Sequence, residues 1–273
     1  DIKNIILPRN KFSYKNNFGH MLLIAGSKSM CGASILSAKA AMRSGLGLIA
    51  VITDTDCKAH LFSQFPEAMV NEYEEFFPLI INKFNSICVG SGMKGIENME
   101  SILNKCYSAK ISMILDAEAI QALASNPNLL KKIPANTILT PHIGEFEKLV
   151  NKKFENSIDR LQFAASFALK HKIIIVLKGS NTCVINSDGM QYFNTTGNQG
   201  MATAGSGDVL AGIIGSLLAQ SYQPIHAAII GVYIHGLSGD LALKKQSYES
   251  MIASDISENL GDAFKELEPK ELF

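Results

Sequence analysis

The chain has 273 residues, 47% hydrophobic and 18% charged, enough for one large α/β unit around a single core or at most two smaller ones. Lys plus Arg and Asp plus Glu both number 25, so there is no basic excess for gripping nucleic acid, while a local basic pocket for a small phosphorylated ligand remains open. No apolar run reaches the about 18–20 residues of a membrane span, and the polar segment before Lys15 has no signal-peptide core.

The cysteines Cys31, Cys57, Cys88, Cys106 and Cys183 are odd in number and contain no C-x-x-C pair. They read as free thiols of a reducing, cytoplasmic setting rather than as a disulfide or zinc framework. The chain opens on Asp1 rather than Met, as a processed product or a piece of a longer polypeptide does.

Short apolar runs alternate with helical stretches. Met21–Ala25 predicts a strand ending at Gly26, Ala33 to Ser44 a helix ended by Gly45, and Leu48–Ile52 a second strand. This is the strand–helix–strand unit of parallel sheets. Ser86–Val89 runs into Gly90, a helix around Ile96–Cys106 follows, and Ile111–Leu115 ends at Asp116. Ala117–Ala124 reads as helix, Thr137–Leu139 as a brief strand, Ile158–His171 as helix and Ile173–Leu177 as strand. Val184–Ile185 and Gln191–Phe193, separated by Ser187-Asp188-Gly189, predict an added hairpin. From Asp208 onward the pattern is almost wholly helical. With no long linker and no internal repeat, residues 1–273 read as a single α/β unit, a mainly parallel sheet with helices on both faces. Ligands of such sheets bind beyond the carboxyl ends of the strands.

The segment Asn194–Leu210 crowds Gly197, Gly200, Gly205 and Gly207 just before a helix. Glycines let backbone amides approach an anion, and a helix N-terminus adds free N–H groups and a favourable dipole. That is a phosphate cradle, or a plain turn with Asp208 as the helix N-cap. It is not a Walker A loop, because Ser206 stands where Lys is required. Gly90-Ser-Gly92-Met-Lys-Gly95, with Asp116 at the next strand end, matches the dinucleotide fingerprint, so an NAD-dependent dehydrogenase is an open alternative. In Thr140–Glu145, His142 can hydrogen-bond a polar ligand and Glu145 can help hold a metal ion, or Glu145 is simply a first-turn helix carboxylate. Lys178-Gly-Ser-Asn-Thr182 closes a strand either as a nucleotide niche or as an ordinary hairpin entry.

Taken in order, these segments resemble the NAD(P)H-hydrate dehydratase family of the ribokinase-like superfamily. The resemblance rests on Gly19–Ser27, Gly32-Ala33, Ala40–Gly47, Gly90-Ser-Gly92, Asp116-Ala-Glu118, Thr140–Glu145, Lys178–Thr182, Gly197–Asp208 and Ala253-Ser-Asp255. Ser91 and Ile143 stand where the family usually has Pro, and Glu118 where it usually has Asp. The resemblance implies a ribokinase-like fold and dehydration of the S-epimer of hydrated NADH or NADPH, with ADP or ATP as phosphoryl donor and Mg²⁺ as cofactor. It implies Asp208 as catalytic base, with Ala33, Gly92, His142 and Asp208 on the hydrated dinucleotide. It implies Lys178, Gly179, Ser180, Asn181, Thr182 and Gly207 on the adenine nucleotide, Gly205, Ser206 and Gly207 as anion hole, and Glu145 near the metal. A homotetramer and an epimerase, as fused domain or separate protein, are the expected partners. A vitamin-precursor kinase of the same superfamily and a non-catalytic nucleotide sensor are the alternatives.

Overall fold

A computed structural model describes residues 2–77, 79 and 81–268. The strands are β1 (His20–Ile24), β2 (Leu48–Thr53), β3 (Met69–Glu72), β4 (Ser86–Val89), β5 (Ser112–Leu115), β6 (Ile138–Leu139), β7 (Ile174–Leu177), β8 (Cys183–Ile185) and β9 (Gln191–Phe193). The first helices are α1 (Cys31–Arg43), α2 (Thr55–Gln64), α3 (Tyr73–Phe76), α4 (Met99–Ser108), α5 (Ala117–Ser125) and α6 (Pro127–Lys131). After them come α7 (Ile143–Val150), α8 (Ser157–His171), α9 (Ser206–Ala219), α10 (Pro224–Ala242), α11 (Ala253–Glu258) and α12 (Leu260–Leu267).

The strands form one sheet in the order β3-β2-β1-β4-β5-β6-β7-β8-β9, parallel from β3 to β7, with β8 and β9 added antiparallel. The expected strands, the hairpin and the helical C-terminal third are all present. The edge strand β3 and helix α2 were not expected, because neither Met69–Glu72 nor Thr55–Gln64 has a clean apolar period.

Alternation along the strands splits the core. Met21, Leu23, Val51, Cys88, Ile114 and Val176 face α1, α9 and α10 on one side. Leu22, Ile24, Ile52, Val89, Leu115 and Ile175 face α4, α5, α7 and α8 on the other. The register is what builds the site. Ile24 pairs with Val89, Val89 with Leu115, Leu115 with Leu139 and Leu139 with Ile175. Gly26, Gly90, Asp116, Thr140 and Lys178 therefore emerge together at one edge. Strand order reverses between β1 and β4, where ligands of open α/β sheets bind.

Two expectations need correction. Cys31 and Cys57 are joined by a disulfide with Cα atoms 5.1 Å apart, while Cys88, Cys106 and Cys183 are free and buried. The pairing was invisible in the spacing because it is tertiary: α1 and α2 follow adjacent strands and start side by side. Secondly, α10 is by length and composition apolar enough to cross a membrane. Its apolar surface is spent on the core, where it packs against α9, α11 and α12, and the polar His235, Ser238 and Asp240 interrupted the run in the sequence.

Candidate active site

The centre of the edge is Asp116, 2% exposed. Thr140 Oγ1 donates to its Oδ1 at 2.7 Å, Ser91 Oγ donates to Oδ2 at 3.2 Å, and Lys178 Nζ lies 3.2 Å from Oδ1. Four consecutive strand ends thus converge on one carboxylate. The next residue, Ala117, sits at φ +40°, the left-handed region a non-glycine residue occupies only when its surroundings hold it there. Burial alone would lower the Lys178 pKa, but Asp116, Glu145 and Asp208 outweigh it and raise it, so the amine stays charged.

Asp208 enters this centre from the first turn of α9. It is not the N-cap. Gly205 holds that place at φ +88°, where an added Cβ would come 2.5 Å from Leu36 Cδ1, so the tight turn accepts only glycine. The capping alternative for Asp208 therefore falls. Nor does the helix dipole, which favours an ionised carboxylate near an N-terminus, set its charge state. Burial raises the Asp208 pKa to about 7, Asp116 adds to the rise, and the Ser91 hydroxyl and Lys178 oppose it. One hydroxyl proton cannot serve two carboxylates, and Ser91 gives its proton to Asp116.

Gly207 lies against Lys178: an added Cβ would be 3.3 Å from Nζ. Lys178 thus links the Gly205–Gly207 amides to the β7–β8 turn. Lys178, Gly179, Ser180 and Asn181 line a pocket of about 290 Å³ walled by Ile143, Leu161, Leu177 and Phe193. Arg160 also lines it, with a buried Nε that has no hydrogen-bond partner among the described residues. Thr182 stays out of the pocket lining and braces the turn instead, its Oγ1 donating to the Gly179 carbonyl at 3.2 Å.

Ala33 and Gly92 meet at the β1/β4 crevice. Gly92 is at φ +64°, and a Cβ there would lie 2.5 Å from Ala33 Cβ and 2.9 Å from the Met30 carbonyl. The fingerprint around Gly90 lacks the geometry of a dehydrogenase site, since the helix that should open directly after it, α4, starts only at Met99. Asp116, which would have to reach a ribose, is tied to Lys178 and Thr140.

His142 is the N-cap of α7. Its Nδ1 accepts from the amides of Gly144 (3.0 Å) and Glu145 (3.3 Å), and Glu145 Oε2 accepts from the His142 amide at 2.8 Å. This reciprocal box leaves the His142 side chain exposed, with Nε2 3.7 Å from Glu145 Oε2. It also occupies one oxygen of Glu145. Among the described residues no group of three or more His, Cys, Asp or Glu gathers to hold a metal. The edge nevertheless brings Asp116 and Glu145 to one side, which suits Mg²⁺ held largely by nucleotide phosphates and one or two carboxylates.

The residues that sequence reasoning left without a role are Ser91, Thr140, Arg160 and His235. Asp116 was read as a strand end completing the dinucleotide fingerprint and as part of the Asp116-Ala-Glu118 element, not as the centre of the site. Its function depends on partners from three other strand ends, a signal the linear sequence does not carry.

Comparison with known proteins agrees with this geometry. A family model described as NAD(P)H-hydrate dehydratase matches residues 21–261. The ADP-dependent (S)-NAD(P)H-hydrate dehydratase of Bacillus subtilis is 31% identical over 271 residues, covering 98% of this chain and 96% of that protein. The bifunctional NAD(P)H-hydrate repair enzyme Nnr of Moorella thermoacetica is 32% identical over 96% of this chain but only 52% of its own length. The chain thus spans about half the length of such bifunctional relatives. The crystal structure of the Bacillus subtilis ADP/ATP-dependent NAD(P)H-hydrate dehydratase, co-crystallized with ATP/Mg²⁺, superimposes with a TM-score of 0.88 at 30% identity, covering 98% of this chain and 96% of that one. The fold is ribokinase-like, and the chain belongs to the NAD(P)H-hydrate dehydratase family.

Proposed function

We propose that the protein restores NADH and NADPH from their S-hydrates, using ADP or ATP as phosphoryl donor. The observation that carries this reading is the half-buried carboxylate of Asp208 beside the Gly205–Gly207 turn, with Lys178 close by. A dehydrogenase needs neither.

In the proposed reaction the substrate hydroxyl attacks the terminal phosphorus of the nucleotide, and the bond from that phosphorus to the bridging oxygen breaks, releasing AMP when ADP is the donor. Asp208 orients the hydroxyl and accepts its proton. Such transfers depend mainly on positioning and charge neutralisation. The amides of Gly205, Ser206 and Gly207 and the Lys178 ammonium supply these for the transferring group. The new phosphate ester then leaves with the C6–O electrons as the ring nitrogen pushes in its lone pair, and loss of the C5 proton closes the double bond. Mg²⁺ adds charge neutralisation at the phosphates when bound, and Glu145 is the carboxylate we assign to it.

The pocket lined by Lys178–Asn181 supports nucleotide binding there, with Arg160 in its wall and Thr182 as a brace. The crevice between Ala33 and Gly92, with His142 Nε2 and Asp208, is assigned to the hydrated dinucleotide. A homotetramer in the cytoplasm, working beside an epimerase, completes the reading.

The test is incubation with hydrated NADH, Mg²⁺ and either ADP or ATP, following nicotinamide absorbance and free phosphate together. Recovered absorbance with one phosphate released per turnover is expected. A stable phosphorylated product would instead mark a small-molecule kinase, and absence of turnover with tight nucleotide binding a sensor.

A further inference from the structure

The loop that carries Asp208 has no side-chain cap at its helix end, so neighbouring elements must hold it. From α1, Ser37 Oγ donates to the Asp208 carbonyl at 2.8 Å. From the opposite side, His235 of α10 places Nε2 3.0 Å from the Ser206 carbonyl oxygen and 3.3 Å from Ser206 Oγ. A carbonyl oxygen only accepts, so this contact requires the proton on Nε2.

The rest of α10 shows the same job at the other end of the loop. Asp240 accepts from the Gly197 amide at 2.8 Å and from Asn198 Nδ2 at 2.9 Å, and the Tyr233 carbonyl accepts from Thr196 Oγ1 at 2.8 Å. A largely apolar core helix thus turns His235 and Asp240 toward the glycine-rich segment 194–208. Asp240 holds the entry and His235 the exit.

We propose that His235 is a positioning residue for phosphoryl transfer, whose Nε2–H fixes the peptide between Ser206 and Gly207 and thereby aims the Gly207 amide at the transferring group. The reason is planarity. The Ser206 carbonyl and the Gly207 N–H belong to one trans peptide unit and point in opposite directions. A donor anchoring the oxygen from α10 therefore directs the N–H away from α10. Gly207 itself lies beside Lys178, where the phosphoryl charge is to be met. The ring acts as a neutral donor rather than a cation: burial lowers the His235 pKa to about 4, and Lys178 pushes in the same direction against the Ser206 hydrogen bond. A hydrophobic residue could fill the same volume but would remove the side-chain anchor that His235 adds to the hold of α9 on this carbonyl.

The inference rests on the dehydratase reading and is tested by two replacements that differ in one respect. The amide nitrogen of Gln overlays Nε2 of histidine, whereas that of Asn overlays Nδ1. His235→Gln should keep kcat within a few-fold of the parent. His235→Asn should lose roughly 10- to 100-fold in kcat, below the cost of deleting an anion-hole donor outright. KM for the hydrate should be unchanged in both, with matching thermal midpoints. Equal activities for the two variants, whether both retained or both lost, would overturn the proposal. Nitrogen-15 spectra of the parent's histidines supply a readout independent of turnover: His235 should be neutral and protonated at Nε2, and an Nδ1–H tautomer would refute the contact. If the parent turns over no hydrate, the dehydratase reading fails, and the tautomer still decides whether His235 anchors Ser206.

Discussion

Asp116 and Lys178 form an ion pair at 3.2 Å whose carboxylate side chain is 3% exposed and whose amine is 22% exposed. Asp208 feels both partners, its pKa raised by the one and lowered by the other. Pairing costs each ion its hydration, so such a pair is poorly explained as a stabilising device. It is better explained as a way to keep a charged amine and a near-neutral base in one small space.

Asp116→Asn tests that relationship. Asn retains an acceptor for Thr140 but leaves Lys178 without its counter-ion, which should destabilise the fold by about 3–5 kcal/mol in chemical denaturation. The loss of negative charge should also lower the Asp208 pKa. In the parent, kcat/KM should rise with pH through about 7 as Asp208 ionises. In the variant that limb should move toward acid. An unmoved limb would mean that Asp116 does not set the ionisation of Asp208.

The Cys31–Cys57 disulfide joins residues 26 apart, at the start of α1 and in the first turn of α2. Closing a loop of that length removes chain entropy from the unfolded state, worth about 3 kcal/mol on the loop-entropy account. Cys57→Ser and the parent kept under reductant should therefore share a lowered thermal midpoint. The oxidised parent should lie several degrees higher. Equal midpoints in all three samples would show that the bridge contributes nothing.

Thr182 braces the β7–β8 turn that lines the pocket we assign to the nucleotide, whereas Ala33 and Gly92 lie at the β1/β4 crevice. A bulky replacement such as Thr182→Phe should break the brace and weaken ADP binding at least about 10-fold, the equivalent of roughly one lost hydrogen bond of about 1.4 kcal/mol. Affinity for the hydrated dinucleotide should change little. Isothermal titration with each ligand separates the effects, and equal losses would contradict two separate subsites.

Much of this was legible in the sequence, for identifiable reasons. The strands facing both core layers are continuous apolar runs, and their ends are marked by Gly26, Gly90, Asp116 and Lys178. The glycine spacing before α9 marked the tight turn that Gly205 makes at φ +88°. The state of Asp208 was not legible, because a helix N-terminus argues for ionisation while burial and Asp116, distant in sequence, argue more strongly against it. Nor was the role of His235, a lone histidine in an apolar helix whose only visible partner is a backbone carbonyl and hydroxyl of Ser206. Such roles depend on which elements the fold brings together.

Asp208→Asn is the sharpest test, because it separates chemistry from stability in opposite directions. Asn keeps the shape but cannot take the hydroxyl proton, so turnover should fall by roughly 10²–10⁴-fold, the usual worth of a positioned general base. Stability should move the other way. The carboxyl titrates near its ordinary value of 3.8 when unfolded but at about 7 when folded, so between these values the folded protein holds the extra proton. Stability from this group is then complete below its unfolded value and is lost as pH rises through about 7. Asn carries no charge to bury. The variant should therefore melt higher than the parent at alkaline pH, and the gain should vanish in acid. Thermal midpoints and phosphate release measured on one preparation across that range decide the matter. A variant that is more stable yet nearly inactive fits a half-buried catalytic carboxylate whose charge is poorly solvated. Near-normal turnover would remove Asp208 from the mechanism, and a lower midpoint at alkaline pH would show that its charge is stabilised in the fold rather than strained.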